Sequence, residues 1–170
     1  MLTVRNYNVY SKEKQLLKNI NVTLNPGELT IILGSNGAGK STFINSLAGD
    51  DASPAGQLKR DGQVCFQDKE LKHWHTRELA KFRAIMPQQV QLSFPFKVRE
   101  VVMMGRSPHG LGKGSKKIAE EALRLMEIYH LRNRYYPSLS GGEQQRTQLA
   151  RVLTQIWPQE NDNSIKYLLL

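Results

Sequence analysis

The chain has 170 residues, 39% hydrophobic and 23% charged, with Lys and Arg outnumbering Asp and Glu by 24 to 15 for a net charge of +9. That composition excludes a disordered chain, and the longest apolar runs, LTIIL at 29–33 and YLLL at 167–170, fall far short of the roughly 20 residues a membrane-crossing helix needs. A single cysteine, Cys65, allows no internal disulfide and fits a reducing cytoplasm, while the basic excess suits nucleic acid, an anionic membrane surface or phosphorylated ligands.

Residues 1–33 alternate short β-prone runs, LTV, INVTL and LTIIL, with turn signals such as NPGE at 25–28. LTIIL is a continuous apolar run, which predicts a strand buried on both faces. A Gly-rich turn comes next, then a helical pattern, STFINSLAG, closed by Gly49. Residues 50–62 read as turns and 75–84 as a helix. AIMPQ reads as a short strand entering a loop with Pro95. Residues 97–105 and 116–131 read as helices, the second carrying Ile118, Ala122, Leu125 and Ile128 or Tyr129 at helical spacing. A further helix spans 141–156, interrupted by Trp157-Pro158, and the apolar run IKYLLL reads as a last buried strand. The order predicts an α/β core with an inserted helical lobe.

Two motifs carry chemistry. GSNGAGKST at 34–42 matches G-x-x-x-x-G-K-[ST] in full, between an expected strand and an expected helix. Its glycines let backbone N–H groups wrap an anion, Lys40 adds a point charge for the β and γ phosphates, and the Ser41 hydroxyl is a Mg²⁺ ligand. The expected nucleotide site therefore comprises Gly34, Ser35, Asn36, Gly37, Ala38, Gly39, Lys40, Ser41 and Thr42. The second motif is LSGGEQQR at 139–146, where Ser140 with Glu143 three residues on has the form of a capping box. A helix start preceded by exposed backbone N–H groups suits an anion, although S-x-x-E alone is more often a plain cap.

Together these motifs make the chain resemble the ATPase subunits of ABC transporters, in which LSGGEQQR is the signature sequence. The resemblance covers essentially all 170 residues. It implies a P-loop NTPase core (1–89 and 148–170), a small antiparallel β portion near the N-terminus, and an inserted helical subdomain at 90–147. It implies Mg-ATP as ligand, Tyr10 stacked on adenine, and Gln88 reaching the attacking water and, with Ser41, the metal. Two copies would pack head to tail, so that Leu139, Ser140, Gly141, Gly142, Glu143 and Gln144 serve the ATP held by Lys40 of the second copy. The stretches 94–110 (FPFKVREVVMMGRSPHG) and 151–170 resemble the subgroup that imports haem, iron–siderophore complexes and vitamin B12, which implies ATP-driven import of haem or a related cargo. The implied partners are a second ATPase subunit, two transmembrane permease subunits and, indirectly, a periplasmic substrate-binding protein. The chain itself would sit peripherally at the cytoplasmic face of a bacterial inner membrane, with no nucleic acid.

Two other readings stay open: a soluble ABC-type ATPase acting on nucleic acid or ribosomes, which the charge suits, and a nucleotide-binding fragment without turnover. In the family an apolar strand like IKYLLL leads into an aspartate, a glutamate and, later, a histidine. The sequence stops at Leu170, before all three. The expectation is that residues 1–170 alone do not sustain hydrolysis, because an amide at Gln88 is a poor proton acceptor and Lys40 only stabilises charge. His73-Trp74-His75 fits a surface loop better than a metal site, and Met103-Met104 beside Val101-Val102 reads as core or partner-contact packing.

Overall fold

The computed structural model describes residues 1–12, 14–49, 58–87, 92, 94–112, 114–158 and 162–170. They form two compact units, Met1–His75 and Thr76–Leu170.

The first unit is built on an antiparallel sheet of four strands in the order β2-β1-β3-β4, with β1 at Leu2–Ser11, β2 at Lys14–Leu24, β3 at Leu58–Phe66 and β4 at Lys69–Glu70. β1 is the central ladder: Val4 faces Val22 on one side and Val64 on the other. Its inner face holds Leu2, Val4, Tyr7 and Val9, all buried, so the period of two slips by one residue at Asn6. That slip is a β-bulge. Asn6 takes a left-handed φ of 47°, and opposite it Gly62 (φ 90°) lies so close that a Cβ would sit 2.3 Å from the Asn6 carbonyl oxygen. The bulge returns Tyr7 and Val9 to the core side. β3 corrects the reading of 50–62 as turns, since 58–62 are strand. Its polar start, LKRDGQ, shows no apolar alternation, and pairing with β1 decides the matter. Helix α1, Lys40–Leu47, follows the glycine-rich loop and buries Ser46 and Leu47.

LTIIL departs from its expectation. Residues 29–33 are irregular rather than strand, and Leu29 and Leu33 are each 86% exposed. Among the described residues no strand pairs with them, and an apolar run without ladder partners gains nothing from extending.

The second unit packs α2 (Thr76–Leu79), β5 (Arg83–Ile85), α3 (Val98–Met104), α4 (Ser115–Leu125), α5 (Gly141–Gln155) and β6 (Tyr167–Leu169). β5 and β6 run parallel, Ala84 beside Leu168. This pairing claims Arg83–Ile85, so the helix expected over 75–84 is cut to its first turn. The expected last strand at IKYLLL is present as β6, half-buried rather than buried. Its core is a three-helix cluster: Val98, Val101 and Val102 of α3, Ala119, Ala122 and Leu123 of α4, and Ala150 of α5, completed by Ile128, Leu131, Tyr136 and Leu139. The helix expected over 116–131 ends early at Leu125, which is 59% exposed. Glu127 takes a left-handed φ of 58°, and the reversal delivers Ile128 to the core from a turn, its N–H donating to the Leu123 carbonyl.

α3 and α5 approach at Gly105, where a Cβ would lie 2.0 Å from the Arg151 carbonyl oxygen and 2.2 Å from Thr154 Oγ1. Gly105→Ala should therefore cost about 1–3 kcal/mol or more, as overpacking does. Gly112→Ala, into open space, should be near neutral. Urea melts of the two variants check the contrast, and equal midpoints would contradict the contact.

Candidate functional site

The first candidate lies in the loop ahead of α1. Gly37 and Gly39 take φ of 82° and 91°, a left-handed conformation that lets successive N–H groups turn toward one concavity. Gly39 is constrained twice, because a Cβ there would also lie 2.8 Å from Leu17 Cδ2 and 3.0 Å from the Leu16 carbonyl oxygen. Strand β2 thus buttresses the loop from behind, a role of Leu16 and Leu17 that no motif announces. Gly39 also caps α1 without a side chain, and the first turn of α1 holds no acidic residue. The orphan N–H groups of that turn and the positive end of the helix are left for an anion with no carboxylate in competition. Lys40 folds back over the loop, its Nζ donating to the carbonyls of Gly34 at 2.7 Å and Ser35 at 2.8 Å. An ammonium has three N–H bonds, so one remains for a ligand. Ser41, at the second helical position, is exposed, and Thr42 accepts a bond from Ser46 on its carbonyl. The Ala38 N–H donates to Ser35, which closes the turn that contains Asn36. Tyr10 is half-buried near the end of β1, its hydroxyl accepting from Gln15 Nε2 at 3.3 Å.

The second candidate is the start of α5. Leu139 is buried and anchors the turn in the helical core, while Ser140 is exposed and forms the N-cap. The capping box is complete: the Ser140 N–H donates to Glu143 Oε2 at 2.7 Å, the Ser140 hydroxyl donates to the same oxygen at 2.8 Å, and the Glu143 N–H donates to Ser140 Oγ at 3.4 Å. Gln144 Nε2 donates to the Leu139 carbonyl at 3.2 Å, which ties the turn a second time. With Ser140 and Glu143 serving each other, the N–H groups of Gly141 and Gly142 at the first helical positions have no intrahelical acceptor. A Cβ on either glycine would meet nothing within 4 Å, so both face open space. The cap is therefore rigid, and its two glycines present bare, positively polarised backbone to whatever approaches.

The Ser140 backbone N–H, and after it the Ser140 hydroxyl, hold the Glu143 carboxyl below its ordinary pKa. The box is therefore intact at neutral pH, and its contribution disappears as pH falls through that lowered value. An NMR titration of the Ser140 amide should show a midpoint below the ordinary carboxylate value. A midpoint at the ordinary value would remove the box.

Gln88 lies outside the described residues. Among the described residues no group of three His, Cys, Asp or Glu is placed to hold a metal, and His73 and His75 are exposed, flanking a Trp74 that packs on Phe66 with Lys69 Nζ 5.0 Å from its ring.

A third feature lies between α3 and α4. An open groove of about 1140 Å³ is lined by Met103, Met104, Leu111, Ala119 and Leu123, with Arg99, Lys116 and Arg132 among the charged groups at its sides. Met103 also packs on the helical core, whereas Met104 and Leu111 are exposed.

The family model described as "ABC transporter" matches residues 17–156. The chain belongs to the ABC transporter family. Curated relatives include the hemin import ATP-binding protein HmuV of Gloeobacter violaceus, 45% identical over all of this chain and 60% of its own length. HmuV of Escherichia coli O157:H7 is 43% identical, again over the whole chain and 63% of its own length. The chain thus spans about 60% of the length of these ABC relatives. Among solved structures, CbiO1 of Clostridium perfringens, part of an ABC transporter complex, shares 28% identity at a TM-score of 0.74, covering 91% of this chain and 61% of that one. The ADP conformation of another ATP-binding cassette of an ABC transporter reaches a TM-score of 0.77 at 26% identity, covering 91% of this chain and 65% of that one. The expected P-loop ABC fold, with its antiparallel β portion and helical subdomain, is therefore the fold of this chain.

Proposed function

We propose that this chain is the nucleotide-binding part of a transport ATPase that powers haem import. The observation that carries the proposal is a pair of glycine-built anion cradles, each at a helix start cleared of competing carboxylates or with its carboxylate engaged in the cap. Mg-ATP fits the first cradle: the residues from Gly34 to Thr42 take the phosphates, Lys40 redirects its ammonium from the loop carbonyls toward the β and γ phosphates, and Ser41 is the described hydroxyl suited to Mg²⁺. Bound Mg²⁺ would neutralise charge developing on the phosphates. Gln88 is the proposed second metal contact and orients the attacking water. Tyr10 offers its ring to adenine.

The second cradle belongs to the nucleotide of another copy. Gly141 and Gly142 leave their N–H groups without an intrahelical acceptor and border open space, with the Ser140 hydroxyl, held on Glu143, beside them, as a site completed across a homodimer requires. Leu139 and Gln144 hold that turn, and Glu143 keeps the cap closed. In this reading residues 1–89 and 148–170 act as the core and 90–147 as the helical subdomain. Haem as cargo rests on relatives named for hemin import. Permease subunits would meet the groove beside α3, whose apolar lining suits the apolar face of a helix and whose mixed rim, Arg99, Lys116 and Arg132 with Glu100 and Glu120, suits polar flanks on that helix. A periplasmic binding protein would act through the permease, and the ATPase would sit at the cytoplasmic face of the inner membrane.

Lys40→Ala should weaken Mg-ATP binding by about 10–150-fold, the loss of one charge-assisted contact of roughly 1.5–3 kcal/mol. Titration calorimetry tests it, and equal affinities would remove the first cradle. Ser140→Arg in the full-length protein should leave monomer affinity near wild type yet abolish ATP-driven dimerisation, because the side chain fills the space in front of the glycines. Light scattering that still reports a dimer on ATP addition would refute the second cradle.

A further inference from the structure

The groove and the signature turn sit on different elements, and they are joined at the far end of α5. Four contacts from the α3 side converge on its last turn. Gly105 brings the backbones together, as described above. Thr154, fully buried, has its hydroxyl 3.0 Å from the Val102 carbonyl oxygen. Arg106, only 4% exposed, donates from Nη1 to the Thr154 carbonyl at 2.7 Å. Three residues on, His109 Nε2 lies 2.7 Å from the Gln155 carbonyl oxygen. Burial holds the His109 imidazole below its ordinary pKa, so at neutral pH it is uncharged and donates that bond as the Nε2–H tautomer. Gln155 Nε2 then donates to the carbonyls of Ala80 and Arg83, tying the same turn to the start of β5.

Arg106 is an expensive way to cap a helix. Its Nε has no partner among the described residues, and a buried, partly paired guanidinium usually stabilises a fold less than an apolar side chain of its size. What it adds is orientation: a planar, charged donor fixed on the negative end of α5. Met103, Met104 and Ser107, which line the groove, flank Arg106 on the same stretch of chain.

We propose that Arg106 is a positioning residue that locks the last turn of α5 to the groove-lining end of α3, so that a partner helix seated in the groove moves both helices as one body and carries Ser140 with it. α5 is the strut: the groove pulls at its C-terminus, and the cap presented to the second nucleotide rides at its N-terminus. A slack junction would let α3 shift against α5, and a push at the groove would be absorbed before reaching Ser140. The proposal rests on the reading that the groove takes a permease helix and that Ser140 serves a second copy's nucleotide.

The test uses the full-length ATPase, alone and reconstituted with its permease in proteoliposomes, with phosphate release and hemin uptake as readouts. Arg106→Met keeps the volume and removes the bond, so the variant should fold. Its kcat and KM for ATP as isolated ATPase should match wild type, while permease-dependent stimulation and uptake should fall about 5–150-fold, the span of ordinary coupling between sites. Arg106→Lys, which still reaches a carbonyl, should recover part of the loss. Wild-type stimulation in the Met variant would overturn the latch, and so would parallel loss of isolated activity and coupling, which marks a merely structural role. An untouched wild type that the permease fails to stimulate would instead overturn the functional reading, and the latch with it.

Discussion

The organisation of the helical unit depends on how α5 satisfies the backbone groups that every helix leaves unpaired at its ends. At the C-terminus the carbonyls of Thr154 and Gln155 accept from Arg106 and His109, so that end is closed by side chains from the neighbouring segment. At the N-terminus the cap is closed locally by Ser140 and Glu143, and the first two N–H groups stay available. One end is given up to packing and the other is kept for a ligand. The asymmetry follows from composition: glycines at 141 and 142 leave room, whereas Gly105 removes it.

The two cradles solve one electrostatic problem by different routes. α1 is capped by a glycine, has no acid in its first turn, and parks the Lys40 ammonium on its own loop carbonyls. α5 keeps an acid in its first turn but engages it, with the Ser140 N–H and hydroxyl both directed at Glu143 Oε2. In either case a phosphate approaching the helix start meets no free carboxylate. A lysine is affordable beside the first cradle because it is flexible enough to be moved, while the second relies on fixed backbone dipoles that need no rearrangement.

Much of this was legible in the sequence, and what was not has physical causes. The glycine loop, the helix after it and the capping box are local features whose residues specify their own geometry, and the structure has them where the sequence put them. Helices at 98–104 and 141–155 fall within the stretches read as helical, 97–105 and 141–156, the second announced by its capping box. LTIIL was misread because its strand state depends on neighbours that periodicity does not report. β3 was missed because its polar first half is held by β1. The end of α4 depends on a single left-handed residue, Glu127, that nothing in the pattern marks. The buttress of Leu16 and Leu17 and the buried Arg106 were invisible for another reason: each works through a backbone atom distant in sequence, and a carbonyl leaves no trace in the alphabet of side chains.

The parallel pairing of β5 with β6 has a consequence for the order of assembly. These strands flank the entire α3–α5 lobe, so their ladder closes a long loop, and an unstructured loop of that size would oppose closure entropically. The lobe lies between them as a cluster with its own core, and its last helix already holds the approach to β5 through Gln155. During synthesis β5 leaves the ribosome long before its partner and waits. Once the lobe has condensed, the span left to close between β5 and β6 is short, because the helices have already set their spacing.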